Sequence, residues 1–226
     1  MNKKILRGIY AITPNNLEQE ILFRKVTDLL SQGIRLIQYR DKFRDSEERL
    51  KISLKLRKIC NCFESYLIIN DDPILAKKVL ADGVHLGQED ISYEEARKTL
   101  GSEAIIGISC QNHLELALEA QSKGADYVAF GSVFNTNTKS NVTKSSINEI
   151  NLLIRKIKIP TAIIGGINLR NADQLFPSKA NMVALSSGLF DQENTSSVIS
   201  LLKKNIKFVS LYKYLIEESP MKIFCR

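Results

Sequence analysis

Eight times in succession, a short apolar run rich in β-branched and aromatic residues gives way to a longer stretch whose apolar residues keep helical spacing. The runs fall at 8–12, 34–39, 66–69, 83–86, 104–109, 127–130, 161–164 and 182–185. Runs this short and this uniformly apolar suit strands covered on both faces, as in a parallel sheet. Between the first two runs, Leu17, Ile21, Leu22, Val26, Leu29 and Leu30 predict a helix over 17–32, with Gly33 as its stop. The same reasoning predicts helices over 46–63, from Pro73 onward, over 92–100, 113–123, 147–157, 171–176 and 195–205. Pro73 suits a first helical turn, and Ser92 and Gly101 suit the two ends of the fourth helix. Eight unbroken strand–helix alternations predict an α/β fold, a single (β/α)8 TIM barrel, over residues 1–206. The alternative, an open doubly wound sheet, ordinarily has fewer strands.

The tail at 207–226 does not fit the repeat. Phe208, Val209, Leu211, Tyr212, Leu215 and Ile216 give it a partly amphipathic helical pattern that Pro220 breaks. Two fates suit such a tail: to cover the lower face of the barrel, or to contact a second copy of the chain in a homo-oligomer.

A length of 226 residues is enough for one well-cored barrel. The formal charge of +7 points to anionic partners, but no basic run interleaved with aromatics argues for nucleic acid. Phosphorylated small molecules fit the charge as well. Cys60, Cys62, Cys110 and Cys225 lack metal-site spacing and read as reduced thiols. Arg7 interrupts the apolar run behind Lys3 and Lys4, and no run approaches the ~18–20 apolar residues of a membrane span. A cytoplasmic protein with no membrane partner is expected.

In a barrel, chemistry gathers at the C-terminal ends of the strands. The third run ends in Asn70-Asp71-Asp72, and the fourth opens into Gly87-Gln88-Glu89-Asp90. On neighbouring parallel strands, Asp71 and Asp90 face one cavity. Their hard oxygens suit Mg²⁺, which takes one or two carboxylates and leaves its other positions to water and substrate phosphates. Taken singly, each acid reads better as the N-cap of the next helix. The repeat of the pattern on consecutive strands turns the reading toward the metal.

The second run supplies Gln38, Arg40 and Lys42, whose alternation points all three one way. The other strand ends add Tyr10 and Thr13, Gln88, Ser109, Gly131, then Thr136, Thr138 and Lys139, then Gly165-Gly166, and finally Ser186-Ser187-Gly188. The stretch 135–146 is longer than an ordinary connection and suits a lid or binding loop. Arg40, Lys42 and Lys139 can neutralise phosphate oxygens. Gly166 and Ser187, after strands seven and eight, stand where barrels commonly bind a phosphate. Two anion sites, one metal-assisted and one metal-free, argue for two phosphorylated substrates joined in one cavity. Singly, Lys42 and Lys139 read as solvated charges and Gly165-Gly166 as a turn. Their joint placement at one end of the barrel favours the site. His85 reads as a hydrogen-bonded core residue and His113 as a surface one. No Cys–His pair or Ser–His–Asp set with partners appears.

Tyr10-Ala-Ile-Thr13, Gln38-Tyr-Arg-Asp-Lys42, Ile69-Asn-Asp71, Gly83-Val-His-Leu-Gly-Gln-Glu-Asp90, Gly107-Ile-Ser109, Gly124-Ala-Asp-Tyr127 with Thr136-Asn-Thr-Lys139, and Ile164-Gly-Gly-Ile167 together resemble the thiamine phosphate synthase family. The resemblance runs in order from about residue 8 to residue 190. It implies an alkyl transferase that couples 4-amino-5-hydroxymethyl-2-methylpyrimidine diphosphate to hydroxyethylthiazole phosphate, giving thiamine monophosphate and pyrophosphate. It further implies that Gln38, Arg40, Lys42, Asn70, Ser109 and Lys139 hold the pyrimidine substrate, with Arg40, Lys42, Ser109 and Lys139 as the catalytic set. By the same resemblance Asp71 and Asp90 hold Mg²⁺, and Thr136, Thr138, Gly166, Ser186 and Ser187 hold the thiazole phosphate. Two departures stand out: Asn135 where proline is often found, and Ser186 where an apolar residue usually precedes a single serine.

Two rivals share parts of this pattern. The thiazole tautomerase relative relies on a histidine shortly after the strand-five serine and lacks the metal acids, whereas this chain reads Ser109-Cys110-Gln111-Asn112 there and has both acids. A non-catalytic binder of thiamine precursors would have no need of Lys42, Lys139 and the acid pair together.

Overall fold

The computed structural model describes residues 6–134, 146–175 and 178–191, together with 196, 197, 199, 200 and 202. Its eight strands are β1 (Gly8–Ile12), β2 (Leu36–Tyr39), β3 (Tyr66–Asn70), β4 (Gly83–Leu86), β5 (Ile105–Ser109), β6 (Tyr127–Phe130), β7 (Thr161–Ile164) and β8 (Met182–Leu185). Each pairs in parallel with the next, and β8 closes on β1, giving one closed barrel. The helices between them are α1 (Gln19–Ser31), α2 (Ser46–Cys62), α3 (Pro73–Lys78), α4 (Tyr93–Leu100), α5 (Leu114–Lys123) and α6 (Ile147–Ile154). A 3₁₀ turn, Ala172–Leu175, stands in the place of a helix after β7, and the short α7 (Ser187–Phe190) follows β8 directly. The described residues among 196–202 are helical, with Ile199 and Leu202 buried. The tail at 207–226 lies outside the described residues.

The strands are apolar on both faces because they serve two cores. Ile9, Ala11, Ile37, Tyr39, Leu67, Ile69, Val84, Ile106, Val128, Ile163 and Val183 face outward into the layer shared with the helices. Tyr10, Ile12, Leu36, Ile68, Ile105, Tyr127, Ala129, Ala162, Met182 and Ala184 fill the barrel interior. Inward parity then carries upward: Gln38 and Asn70 stand two residues beyond the interior Leu36 and Ile68, and Ser109 four beyond Ile105, so the strand period aims them at the axis.

At the opposite end, three short side chains lock neighbouring strands together. Asp82 Oδ2 accepts from Leu67 N–H at 2.7 Å, Asp126 Oδ2 from Ile106 N–H at 2.9 Å, and Asn181 Oδ1 from Thr161 N–H at 3.0 Å. Arg57 pairs with Asp82, and Arg97 with Asp126. The pairs Ala81-Asp82, Ala125-Asp126 and Ala180-Asn181 each precede an even-numbered strand, so one device recurs at β4, β6 and β8.

The boundaries depart from expectation at a few points. α2 is capped by Asp45 rather than by a residue inside the predicted helix, with Glu48 N–H donating to its carboxylate at 2.9 Å. α6 ends at Ile154, three residues short of its predicted end, because the chain turns there toward β7. Ser92 and Ser146 form full capping boxes with Glu95 and Glu149. Cys60, Cys62 and Cys110 are free thiols. Among the described residues, no helix is long and apolar enough to cross a membrane.

Candidate active site

The mouth at the C-terminal ends of the strands gathers most of the residues that the sequence singles out. Its floor is built first. Gln38 is 1% exposed, and its Nε2 donates to Tyr10 Oη at 2.6 Å. Tyr10 Oη lies 2.8 Å from Tyr127 Oη, which lies 2.9 Å from His85 Nδ1. The Tyr127 ring stands edge-on to Tyr10 and is stacked with the His85 ring. It fits because β5 carries a glycine opposite: a Cβ on Gly107 would sit 2.0 Å from Tyr127 Cζ. Tyr10 therefore belongs to the barrel interior rather than to the open mouth, and His85 is hydrogen-bonded as expected.

Beyond Tyr39 the three basic and polar positions of the second run part company. β2 has ended, so strand alternation no longer governs direction. Asp41 sets the loop instead: its carboxylate accepts from the backbone N–H of Asn16, Phe43 and Arg44 and pairs with the Arg44 side chain. Burial pushes this carboxyl up, but those donors outweigh it and hold it below its ordinary value. Arg40 Nη1 consequently turns to Asn15 Oδ1 at 3.0 Å, on the β1 side, while Lys42 Nζ reaches Asp71 Oδ2 at 2.9 Å, on the β3 side. Thr13 does not enter the mouth; its hydroxyl bridges the backbone N–H and carbonyl of Arg40.

Asp71 and Asp90 do come together. Asp71 follows the last residue of β3 in a left-handed backbone conformation, φ +63°, with its N–H donating to His85 O at 2.8 Å. That conformation is uncommon for a residue with a side chain, although Asp tolerates it better than most. Asp90 Oδ2 accepts from Gly87 N–H at 2.6 Å. Burial and the touching Asp71 carboxyl push the Asp90 carboxyl above its ordinary value, against the opposing pull of Gly87 N–H and Lys42. The helix-cap role falls to Asp72 instead, which accepts from Leu75 N–H at 2.8 Å and pairs with Arg49. A cleft of about 500 Å³ opens beside the pair, lined by Lys42, Arg49, Asn70, Asp71, Asp72 and Ile91 among others.

Ser109 ends β5, half-buried, and its carbonyl accepts from Gln88 Nε2 at 2.6 Å, so Gln88 braces the neighbouring strand end. Across the ring, β7 and β8 lie four strands away from β3 and β4. Gly165 and Gly166 both take positive φ, +118° and +60°. The Gly166 carbonyl is held by the amides of Asn168 and Asn171. A Cβ on Gly188 would lie 2.2 Å from Ile167 O, so the β7 and β8 loops pack directly on one another. Ser186 precedes α7 and Ser187 opens it, exposed to solvent. Thr136, Thr138 and Lys139 lie outside the described residues.

No group of three or more His, Cys, Asp or Glu side chains suited to a metal occurs among the described residues. Asp71 and Asp90 are a two-carboxylate donor set, which fits a hard divalent ion that completes its shell with water and phosphate oxygens. The sequence reading missed Asn15 and Asp41, which aim Arg40 and Lys42. It also missed the hydrogen-bonded link from Tyr10 through Tyr127 to His85.

Comparison with known proteins matches this arrangement to one family. Residues 9–189 fit the family described as Thiamine monophosphate synthase. A Thiamine-phosphate synthase of Nitrosospira multiformis is 42% identical over 211 residues, covering 93% of this chain and 88% of that protein. One of Thioalkalivibrio sulfidiphilus is 44% identical over 186 residues, covering 82% of this chain and 88% of its own. The solved structure of thiamine phosphate pyrophosphorylase from Pyrococcus furiosus aligns with a TM-score of 0.79 at 31% identity, covering 92% of this chain and 98% of that one. On the residues matched and the identity over most of its length, the chain belongs to the thiamine monophosphate synthase family.

Proposed function

We propose that the barrel mouth couples 4-amino-5-hydroxymethyl-2-methylpyrimidine diphosphate to hydroxyethylthiazole phosphate, releasing thiamine monophosphate and pyrophosphate. The observation that carries this reading is the contact between the Asp71 and Asp90 carboxyls with Lys42 beside them. Two touching carboxylates repel unless a cation lies between or near them. Asp71 and Asp90 would hold Mg²⁺. Bound there, the ion supplies positive charge to the diphosphate oxygens of the leaving group.

The chain's own residues do the rest. Lys42 and Arg40 stand on either side of the β2 loop, where they neutralise the diphosphate, and Lys139 joins them by its place in the sequence motif. Gln38 and Asn70, aimed at the axis, offer amides to the aminopyrimidine. Gly166, Ser186 and Ser187, across the ring, offer backbone N–H groups and hydroxyls to the thiazole phosphate, and Thr136 and Thr138 join them by their place in the sequence motif. The bond between the pyrimidine methylene and the diphosphate oxygen breaks with its electron pair on the oxygen. The thiazole nitrogen then supplies the pair for the new C–N bond. Charge stabilisation around the departing group is the main contribution asked of the protein, and no side-chain nucleophile is required.

Mixing the protein with both substrates and Mg²⁺ tests this reading. Equal yields of thiamine monophosphate and pyrophosphate are expected, with neither product when either substrate is left out. Pyrophosphate appearing without thiamine monophosphate would refute the coupling.

A further inference from the structure

Beneath the mouth, four polar groups on four different strands form one hydrogen-bonded line across the barrel interior: Gln38, Tyr10, Tyr127 and His85. Coupling by charge stabilisation alone makes no use of the last three. Tyr10 is 1% exposed and Tyr127 fully buried, so the middle of the line is screened from water, with His85 half-buried at one end. Burial holds both phenols far above their ordinary range, so each keeps its hydrogen.

Each hydroxyl has one hydrogen to give. Tyr10 Oη accepts from Gln38 Nε2, so its own hydrogen goes to its other partner, Tyr127 Oη. Tyr127 in turn gives its hydrogen to His85 Nδ1, and the imidazole hydrogen is then on Nε2. The line has a direction. Reversed, His85 Nδ1–H would donate to Tyr127, Tyr127 to Tyr10, and Tyr10 to Gln38, whose amide would have to turn over to offer its oxygen. Any mixed state leaves a buried hydroxyl hydrogen without an acceptor or crowds two against each other. The orientation of the Gln38 amide and the tautomer of His85 are therefore coupled across three hydrogen bonds.

We infer that Tyr10, Tyr127 and His85 are positioning residues that fix which edge of the Gln38 amide meets the substrate, and so select an aminopyrimidine over an oxopyrimidine. The inference rests on the reading that Gln38 meets the pyrimidine. In the direction that starts from Gln38 Nε2 donating to Tyr10, the Gln38 carbonyl oxygen and the second Nε2–H are not spent on the line, an acceptor beside a donor for the pyrimidine. A 4-aminopyrimidine offers the complement, an amine hydrogen beside a ring nitrogen, the same pairing by which Gln or Asn reads adenine. A 4-oxopyrimidine offers an acceptor where the amine stood, and only the reversed line would suit it.

Two measurements test this. The first is the ¹⁵N resonance pattern of the His85 ring in the intact protein without substrate. The wild type is expected to show one tautomer, protonated at Nε2. Gln38→Met, which keeps the bulk and removes the amide donor, is expected to give a mixture of both tautomers at a ring it does not touch. An unchanged His85 pattern in Gln38→Met would overturn the coupling, whatever reaction the protein performs. The second is the ratio of dissociation constants for the 4-amino and 4-oxo forms of 5-hydroxymethyl-2-methylpyrimidine phosphate. Tyr127→Phe and Tyr10→Phe each remove one hydroxyl at constant shape. Each is expected to cut the ratio by about tenfold, the scale of one hydrogen bond left unmade, while affinity for the thiazole phosphate stays the same. Tyr10→Phe carries the test if Tyr127→Phe does not fold. Folded variants with an unchanged ratio would overturn the selective role. Absence of coupling activity in the wild type, with the His85 response intact, would instead refute the proposed reaction and leave the hydrogen-bonded line standing.

Discussion

Lys42 Nζ stands 2.9 Å from Asp71 Oδ2, on a side chain that is 53% exposed. A pair this open to solvent contributes little to stability. What it does is place a cation beside two touching carboxylates at the rim of the β3–β4 cleft. Lys42→Gln is therefore expected to leave the melting temperature nearly unchanged and to lower the single-turnover rate by roughly 10²-fold, the scale of losing one electrostatic stabiliser. Rapid-quench kinetics beside a thermal melt separate the two effects.

The β7 loop carries a different expectation. Gly166 sits at φ +60°, where a side chain is strained by roughly 1–2 kcal/mol. Gly166→Ala and Ser187→Ala are expected to raise KM for the thiazole phosphate several-fold and to leave KM for the pyrimidine diphosphate unchanged. The phosphate held there does not react, so its contacts are the same in ground and transition states. Steady-state kinetics with each substrate varied in turn check this. Equal weakening of both substrates would show that the two anion sites have been assigned to the wrong rims.

Asp41 gives a pH dependence. Burial opposes its ionisation, but the three backbone N–H donors and Arg44 hold the folded-state carboxyl below its ordinary value. A depressed carboxyl contributes stability above its unfolded-state pKa of ~3.9 and loses it as pH falls through the folded-state value. Asp41→Asn is thus expected to cost about 1–3 kcal/mol near neutrality, with the gap to wild type closing below about pH 4. Melting temperatures of both proteins across pH 3–8, as approximate bounds set by these pKa values, show whether the gap closes on the acid side.

Most of the barrel was legible because each strand is an unbroken apolar run, the mark of burial on both faces, and because the punctuation at Gly33, Pro73, Ser92 and Gly101 is local chemistry. The floor of the site was not. Tyr10 and Tyr127 meet across 117 residues of sequence, and nothing near either one signals the other. The lone glycine inside 105–109 was the available hint, since a glycine within a strand often marks a close approach, here by the Tyr127 ring. Asp41 was hidden for a different reason. Flanked by Arg40 and Lys42, it looked like one more charge in a substrate-binding run, whereas it is 6% exposed and orders the loop that turns its neighbours apart. The recurring pair of alanine and Asp or Asn before β4, β6 and β8 was visible as a repeat, but its meaning depends on strand pairing that only the fold supplies.

Asp71 follows the end of β3 with an unusual backbone angle, and the Asp90 carboxyl that touches it accepts from Gly87 N–H. The direct measurement is the rate of pyrophosphate release as Mg²⁺ is varied, in the wild type, Asp71→Asn and Asp90→Asn. With Mg²⁺ held by the pair, the wild type is expected to depend on the ion and to lose its activity under chelation, and each variant to lose roughly 10²-fold or more at saturating Mg²⁺ while keeping its fold. Full activity of either variant, or an undiminished wild-type rate under chelation, would contradict that placement of the ion.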